Sequence, residues 1–135
     1  MILEISDLHV SYNSVPAIEG MTLSVNEGEH VALIGPNGAG KTSLLKAISG
    51  TVPSEGRITF DGQQIQAMDA HRRAQLGITH VPEGRQVFGG MTIGENLRLG
   101  AYRADARPRY KERLDLVLQL FPVRGDMVNR PAATL

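Results

Sequence analysis

Residues 35–42 read Gly-Pro-Asn-Gly-Ala-Gly-Lys-Thr. Three glycines followed at once by a fixed cation and a hydroxyl suit one chemical task. Phosphate oxygens are best held by several backbone N–H groups together, which requires a chain that curls inward with no side chain in the way. Gly35, Gly38 and Gly40 permit that curl. A helix opening directly behind the loop turns its free N–H groups, and the positive end of its dipole, toward the anion. Lys41 adds a movable point charge for β- and γ-phosphates, and the Thr42 hydroxyl can ligate Mg²⁺. The octet fits G-x-x-x-x-G-K-[ST] at every position. The competing reading, a glycine-rich turn that merely joins strand to helix, is weakened by the flanking pattern.

Such a loop needs a strand before it and a helix after it, and both are legible. Val31–Ile34 are continuously apolar, as expected of a strand buried on both faces. Behind the loop a helix is predicted from near Gly40 to Gly50, with Leu44, Leu45 and Ile48 turned inward. Upstream, Leu3, Ile5, Leu8 and Val10 alternate loosely as one buried face, "MTLSV" repeats the pattern, and "NEG" at 26–28 reads as a turn. Downstream, "GRITFDG" predicts a strand with Ile58 and Phe60 on one side and a turn at Asp61-Gly62. Gly77–Val81 reads as another short strand. Thr92 to Glu95 form a capping box that opens a helix carrying Leu97 and Leu99. Leu114, Val117, Leu118 and Phe121 make a last helical stripe, whose mixed charges (Arg109, Lys111, Glu112, Arg113, Asp115) read as a solvated face.

Composition narrows the classes further. The chain of 135 residues has a formal net charge of zero, which argues against nucleic acid as a partner. It has no cysteine, so disulfides and thiolate metal sites are excluded. His9, His30, His71 and His80 show no i, i+4 pairing, and surface or edge positions suit them better than metal ligation. A mean hydropathy of -0.13 and the absence of a long apolar run fit a globular chain with no signal pattern at its amino terminus.

Beyond the loop, the aromatic Tyr12, "GPNGAGKTSLL", "SEGRITFDG" and "VPEGRQVFGGMTIGENL" stand at a spacing that resembles the nucleotide-binding subunit of ATP-binding-cassette (ABC) transporters. The last run looks like the branch that imports branched-chain amino acids. Urea and amide importer ATPases are similar, but usually carry glutamine after the proline. The resemblance implies an α/β chain: a P-loop NTPase of the ABC type, with an amino-terminal antiparallel β subdomain, the start of the α/β core and the helical subdomain. It implies that residues 1–135 are the amino-terminal part of a single nucleotide-binding domain, with ATP and Mg²⁺ as cofactors.

Residue by residue, the resemblance assigns Tyr12 to adenine stacking, although on sequence alone Tyr12 reads more readily as a strand-end residue with a wet hydroxyl. It assigns Gly35, Asn37, Gly38, Ala39, Gly40, Lys41, Thr42 and Ser43 to the phosphate and Mg²⁺ site. Glu83 stands where most family members carry a glutamine that touches Mg²⁺. A carboxylate can ligate a hard cation but also repels a γ-phosphate, so Mg²⁺ contact and a plain surface charge both remain open for Glu83. Glu83, Gly84, Arg85 and Phe88 would lie where a membrane-spanning permease subunit docks.

Family members continue past a position like Leu135 with a Ser-Gly-Gly signature, a catalytic glutamate and a switch histidine. The resemblance therefore covers a little over half of a nucleotide-binding domain and brings no water-activating residue with it. The expectation is a chain that binds Mg-ATP without efficient turnover. Its implied partners are permease subunits and a second nucleotide-binding subunit at the cytoplasmic face of the membrane. Nucleic acid and the transported substrate are not contacted. The alternative is a non-catalytic nucleotide-binding remnant of such a subunit.

Overall fold

Leu3 and Ile5 occupy odd positions and Leu8 and Val10 even ones, so a regular strand could not bury all four on one face. The computed structural model, which describes residues 1–84, 86–121 and 125–134, resolves the conflict at Asp7. Within β1 (Leu3–Tyr12) Asp7 adopts φ 51°, and the pairing register shifts around it against both neighbouring strands. An extra residue in one strand flips the facing of everything beyond it. Ile5, Leu8 and Val10 are consequently all buried, with Leu3 packed against them.

A two-residue turn at Asn13-Ser14, with φ of 48° and 67°, reverses the chain into β2 (Val15–Val25), antiparallel to β1. Positive φ at both central residues gives the twist that hairpins prefer. β3 (Glu55–Phe60) pairs antiparallel with the other edge of β1 and turns through Asp61-Gly62, φ 46° and 75°, into β4 (Gln63–Gln64). The strand order is β2-β1-β3-β4. The turn at 26–28 is present too, with Gly28 at φ 74° and the Asn26 N–H bonded to Glu29 Oε2 at 2.7 Å.

The loop at 35–40 opens α1 (Lys41–Ser49), which Gly50 ends in the left-handed conformation, as the sequence predicts. Leu44 and Ala47 pack into the core with Ile5, Leu8 and Ile58. α2 (Ala70–Leu76) is capped by Asp69, whose carboxylate accepts the Arg72 N–H at 2.8 Å. These elements belong to a compact unit, Met1–Val81; a second unit spans Pro82–Leu135.

Three expectations are corrected in the first unit. Val31–Ile34 form no strand, and Ile34 is 94% exposed. A buried strand exists only between ladder neighbours, and none of the described strands runs beside this segment. For the same reason Gly77–Val81 is irregular, not extended into a sheet. Leu45 is 42% exposed, because Leu44 and Ala47 define the inward face of so short a helix.

In the second unit α3 (Ile93–Leu99) starts at the predicted capping box. The Thr92 hydroxyl accepts the Glu95 N–H at 3.1 Å, while Glu95 Oε2 accepts the Thr92 N–H at 2.8 Å. Gly94 lets α3 lie against the 3-10 turn Gly125–Asn129, where a Cβ would stand 2.8 Å from a Val128 methyl. A short 3-10 turn, Arg107–Arg109, leads into α4 (Tyr110–Leu120). Its predicted apolar stripe is a further correction. Leu114 and Leu118 are half-buried, Val117 is exposed, and Phe121 is 69% exposed. Periodicity marks an apolar face but does not supply the surface that covers it.

The box carries a pH prediction. The backbone N–H and then the hydroxyl of Thr92 hold the Glu95 carboxyl below its ordinary 4.5. A depressed native pKa stabilises the fold above the unfolded pKa, and that contribution is lost as pH falls through the lower native value. Amide protection across α3 is expected to drop as pH falls below the ordinary 4.5, relative to Glu95→Gln, whose amide oxygen still accepts the bond but does not titrate. Identical pH profiles for the two chains would remove this role for Glu95.

Candidate functional site

Glycine has no side-chain acceptor, and α1 has glycine as its N-cap. Asp69 caps α2 and Thr92 caps α3 with side-chain oxygens, whereas Gly40 offers α1 none and no acid stands in its first turn. The first N–H groups of a helix have no partner within it, so this end keeps both donors and dipole for an anion. The curl itself follows from two glycines. Gly38 and Gly40 take φ of 87° and 79°. A Cβ on Gly40 would come 2.5 Å from the Ala17 carbonyl oxygen of β2, so the loop rests on the hairpin at the one residue that fits. Gly35 is different: its φ is ordinary, and its bareness makes room for Ala39, whose methyl would sit 3.3 Å from an added Cβ.

Lys41 closes the loop on itself. Its Nζ donates to the carbonyl oxygens of Gly35 at 2.7 Å and Pro36 at 2.6 Å. The Ala39 N–H donates to the Pro36 carbonyl at 3.3 Å, tightening the same turn. The cation thus stands inside the loop, held by dipoles alone. Asn37 and Thr42 are exposed, and Ser43 is half-buried behind them. The Thr42 hydroxyl on the first turn of α1 is of the right kind for a hard cation beside phosphate oxygens. No cluster of three His, Cys, Asp or Glu side chains forms a metal site among the described residues.

Tyr12 ends β1 in the last ladder pair, opposite Val15, and is 42% exposed. It stands on the same hairpin that Gly40 touches at Ala17. Glu83 and Gly84 lie in the second unit, in an exposed bend where Gly84 has φ 80° and the Gln86 side-chain amide donates to the Glu83 carbonyl at 3.3 Å. Phe88 is exposed. Arg85 lies outside the described residues. The structure therefore gathers 35–43 into one loop and the first turn of α1, puts Tyr12 on the supporting hairpin, and carries Glu83, Gly84 and Phe88 on a separate unit.

Two residues escape sequence reasoning. Asn96 pins the Phe88 segment: its Oδ1 accepts the Phe88 N–H at 2.9 Å, and its Nδ2 donates to the Phe88 carbonyl at 3.1 Å. Its only signal is its place inside the "GENL" run. Arg73 of α2 is 2% exposed, which no pattern suggested, since a basic residue on a short polar helix reads as solvated. Its Nη1 donates to the Ala47 and Ile48 carbonyls of α1 at 2.5 and 3.0 Å. Its Nε and Nη2 donate to Met68 and Gln66 carbonyls at 3.0 and 2.9 Å. Burial pulls the guanidinium below its ordinary pKa, yet it stays charged.

Among known proteins, a family model described as ABC transporter matches residues 18–134. The chain is 35% identical over 130 residues to a probable branched-chain amino acid transport ATP-binding protein, LivF, of Archaeoglobus fulgidus, covering 95% of this chain and 54% of that one. It is 33% identical over 135 residues to the high-affinity branched-chain amino acid transport ATP-binding protein BraG of Pseudomonas aeruginosa, covering 99% and 58%. Among solved structures, an ATP-binding subunit of an ABC transporter superposes with a TM-score of 0.83 at 28% identity, over 100% of this chain and 56% of that one. The chain thus spans little more than half the length of the relatives it matches.

Proposed function

Because this chain belongs to the ABC transporter family, we propose that residues 35–43 bind the phosphates of Mg-ATP within a nucleotide-binding subunit of an importer. The observation that carries the reading is the glycine-capped start of α1, with Lys41 standing inside the loop. Backbone N–H groups of Gly38 to Lys41 would cradle the β- and γ-phosphates, and Lys41 would exchange its two carbonyl partners for phosphate oxygens. Thr42 would hold Mg²⁺, and Ser43 would back the first turn. Bound Mg²⁺ would neutralise phosphate charge; the chain's own part is to bind and orient. Tyr12, wet at the end of β1, would stack on the adenine face.

Residues 1–135 would form part of one nucleotide-binding domain, paired in the working transporter with a second such subunit and with permease subunits at the inner face of the membrane. Glu83, Gly84, Arg85 and Phe88 would meet the permease, and Glu83 would reach Mg²⁺ only from that segment. Branched-chain amino acids are the substrate class favoured by the names of LivF and BraG. The resemblance assigns no water-activating residue to 1–135, so turnover would be slow. No helix among the described residues is long and apolar enough to cross a membrane.

The test is a calorimetric titration of the 135-residue chain with Mg-ATP and with AMP. Phosphate-led binding is expected to favour ATP by about tenfold or more, about 1.4 kcal/mol for each tenfold. Phosphate release is expected to stay at background. Equal affinity for the two nucleotides, or none, would remove the reading.

A further inference from the structure

α1 has nine residues and is therefore a rod about 13 Å long, at 1.5 Å per residue. What fixes one end fixes the other. Its N-terminal end carries the phosphate loop; its C-terminal end meets Arg73, the only buried charged side chain among the described residues. Burying a lone guanidinium is costly unless its donors and its charge are matched. Arg73 meets no carboxylate in its hydrogen bonds; four donations go to backbone carbonyls, two on the last turn of α1 and two on the 66–68 segment before α2. The remaining compensation is the negative end of the α1 dipole. The fork is planar, so holding four carbonyls at once sets both the axial position and the rotation of α1. Gly50 makes this possible, because a Cβ there would come 2.8 Å from Arg73 Nε. A core filler would need none of this; an apolar side chain of the same volume would pack with less desolvation.

We propose that Arg73 is a positioning residue for the phosphate loop: it clamps the carbonyl end of α1 so that Lys41, Thr42 and the loop amides keep their place over β2. The proposal rests on the reading of residues 35–43 as the phosphate site. It predicts a loss that follows the number of phosphates, which general destabilisation would not produce. Arg73→Met and Arg73→Lys are made in the 135-residue chain, checked by circular dichroism, and titrated with Mg-ATP and with AMP.

Arg73→Met is expected to weaken Mg-ATP by about tenfold while AMP stays within about twofold, so the ATP-to-AMP preference collapses. Arg73→Lys, which keeps the charge but not the fork, is expected to fall between. A folded Arg73→Met chain with the wild-type preference overturns the proposal. Where Arg73→Met does not fold, Arg73→Lys decides: an intermediate preference supports the clamp and an unchanged one overturns it. A wild-type chain that binds neither nucleotide removes the phosphate-site reading, and the clamp with it. Wild-type binding with an unaffected Arg73→Met removes only the clamp.

Discussion

Replacing Lys41 with alanine is expected to weaken Mg-ATP binding by about 10- to 140-fold while leaving the fold in place, on the usual 1.5–3 kcal/mol for a hydrogen bond to a charged group. Lys41 lies outside the buried core, and its ammonium donates to the Gly35 and Pro36 carbonyls of its own loop. Those two contacts are lost on substitution, but both acceptors face solvent, where water replaces the donor. Stability should therefore change little, and the loss should appear in affinity. With a triphosphate bound, the same ammonium faces several negative oxygens and nothing else in the loop is charged. Calorimetric titration, with circular dichroism as the check on folding, measures both. A folded Lys41→Ala chain that binds Mg-ATP as tightly as wild type would falsify the assignment of Lys41.

The largest expected effect on stability is at Gly56. Its φ is 95°, and a Cβ there would run into the Asp7 backbone carbonyl at the β1 bulge. A left-handed backbone costs an L side chain about 1–2 kcal/mol by itself. Here the obstacle is main chain, which cannot rotate away, and it sits between Ile5 and Leu8, both fully buried. Gly56→Ala is expected to destabilise by about 3 kcal/mol or more, a large part of the 5–15 kcal/mol that holds most domains. Gly28→Ala is the matched control. Its φ is 74°, yet nothing lies within 4 Å of the added Cβ, so only the conformational part remains. Urea unfolding of both variants reads the difference. Equal midpoints would mean that the bulge yields and that Asp7 is no fixed point.

What the sequence made legible was local. The loop, its glycines and the helix behind it could be read because every requirement falls within sixteen residues and each glycine has a steric reason. The Thr92–Glu95 box and the Asp61-Gly62 turn are equally short-range. The Asn13-Ser14 turn escaped because neither residue is glycine. The bulge left a visible trace, the change of parity between Ile5 and Leu8, but parity alone cannot say which residue absorbs it. Where a feature depends on a distant neighbour, reading failed. Val31–Ile34 have a strand's composition without a strand's ladder, the α4 stripe has no cover at Phe121, and Arg73 is buried by carbonyls from two other segments. Roles at the site stand apart from geometry: the backbone shows why Gly40 must be glycine, and only nucleotide binding shows what the loop holds.

The loop at 35–40 is held more firmly behind than in front: Gly40 rests on β2, whereas the approach at 31–34 is held through Leu33, which packs against the core. Behind it, α1 is packed through Leu44 and Ala47; in front of it, residues 31–34 approach without strand pairing among the described residues. Fixing a backbone residue costs about 1–2 kcal/mol of conformational entropy, so, if residues 35–43 take an anion as proposed, any part of the 31–34 approach that a ladder does not already fix would be ordered at the moment of binding. The calorimetric signature that follows is a strongly favourable enthalpy set against an unfavourable entropy. Any contact that straightened residues 31–34 beforehand, even one far from the phosphates, would tighten nucleotide binding without adding a single bond to it.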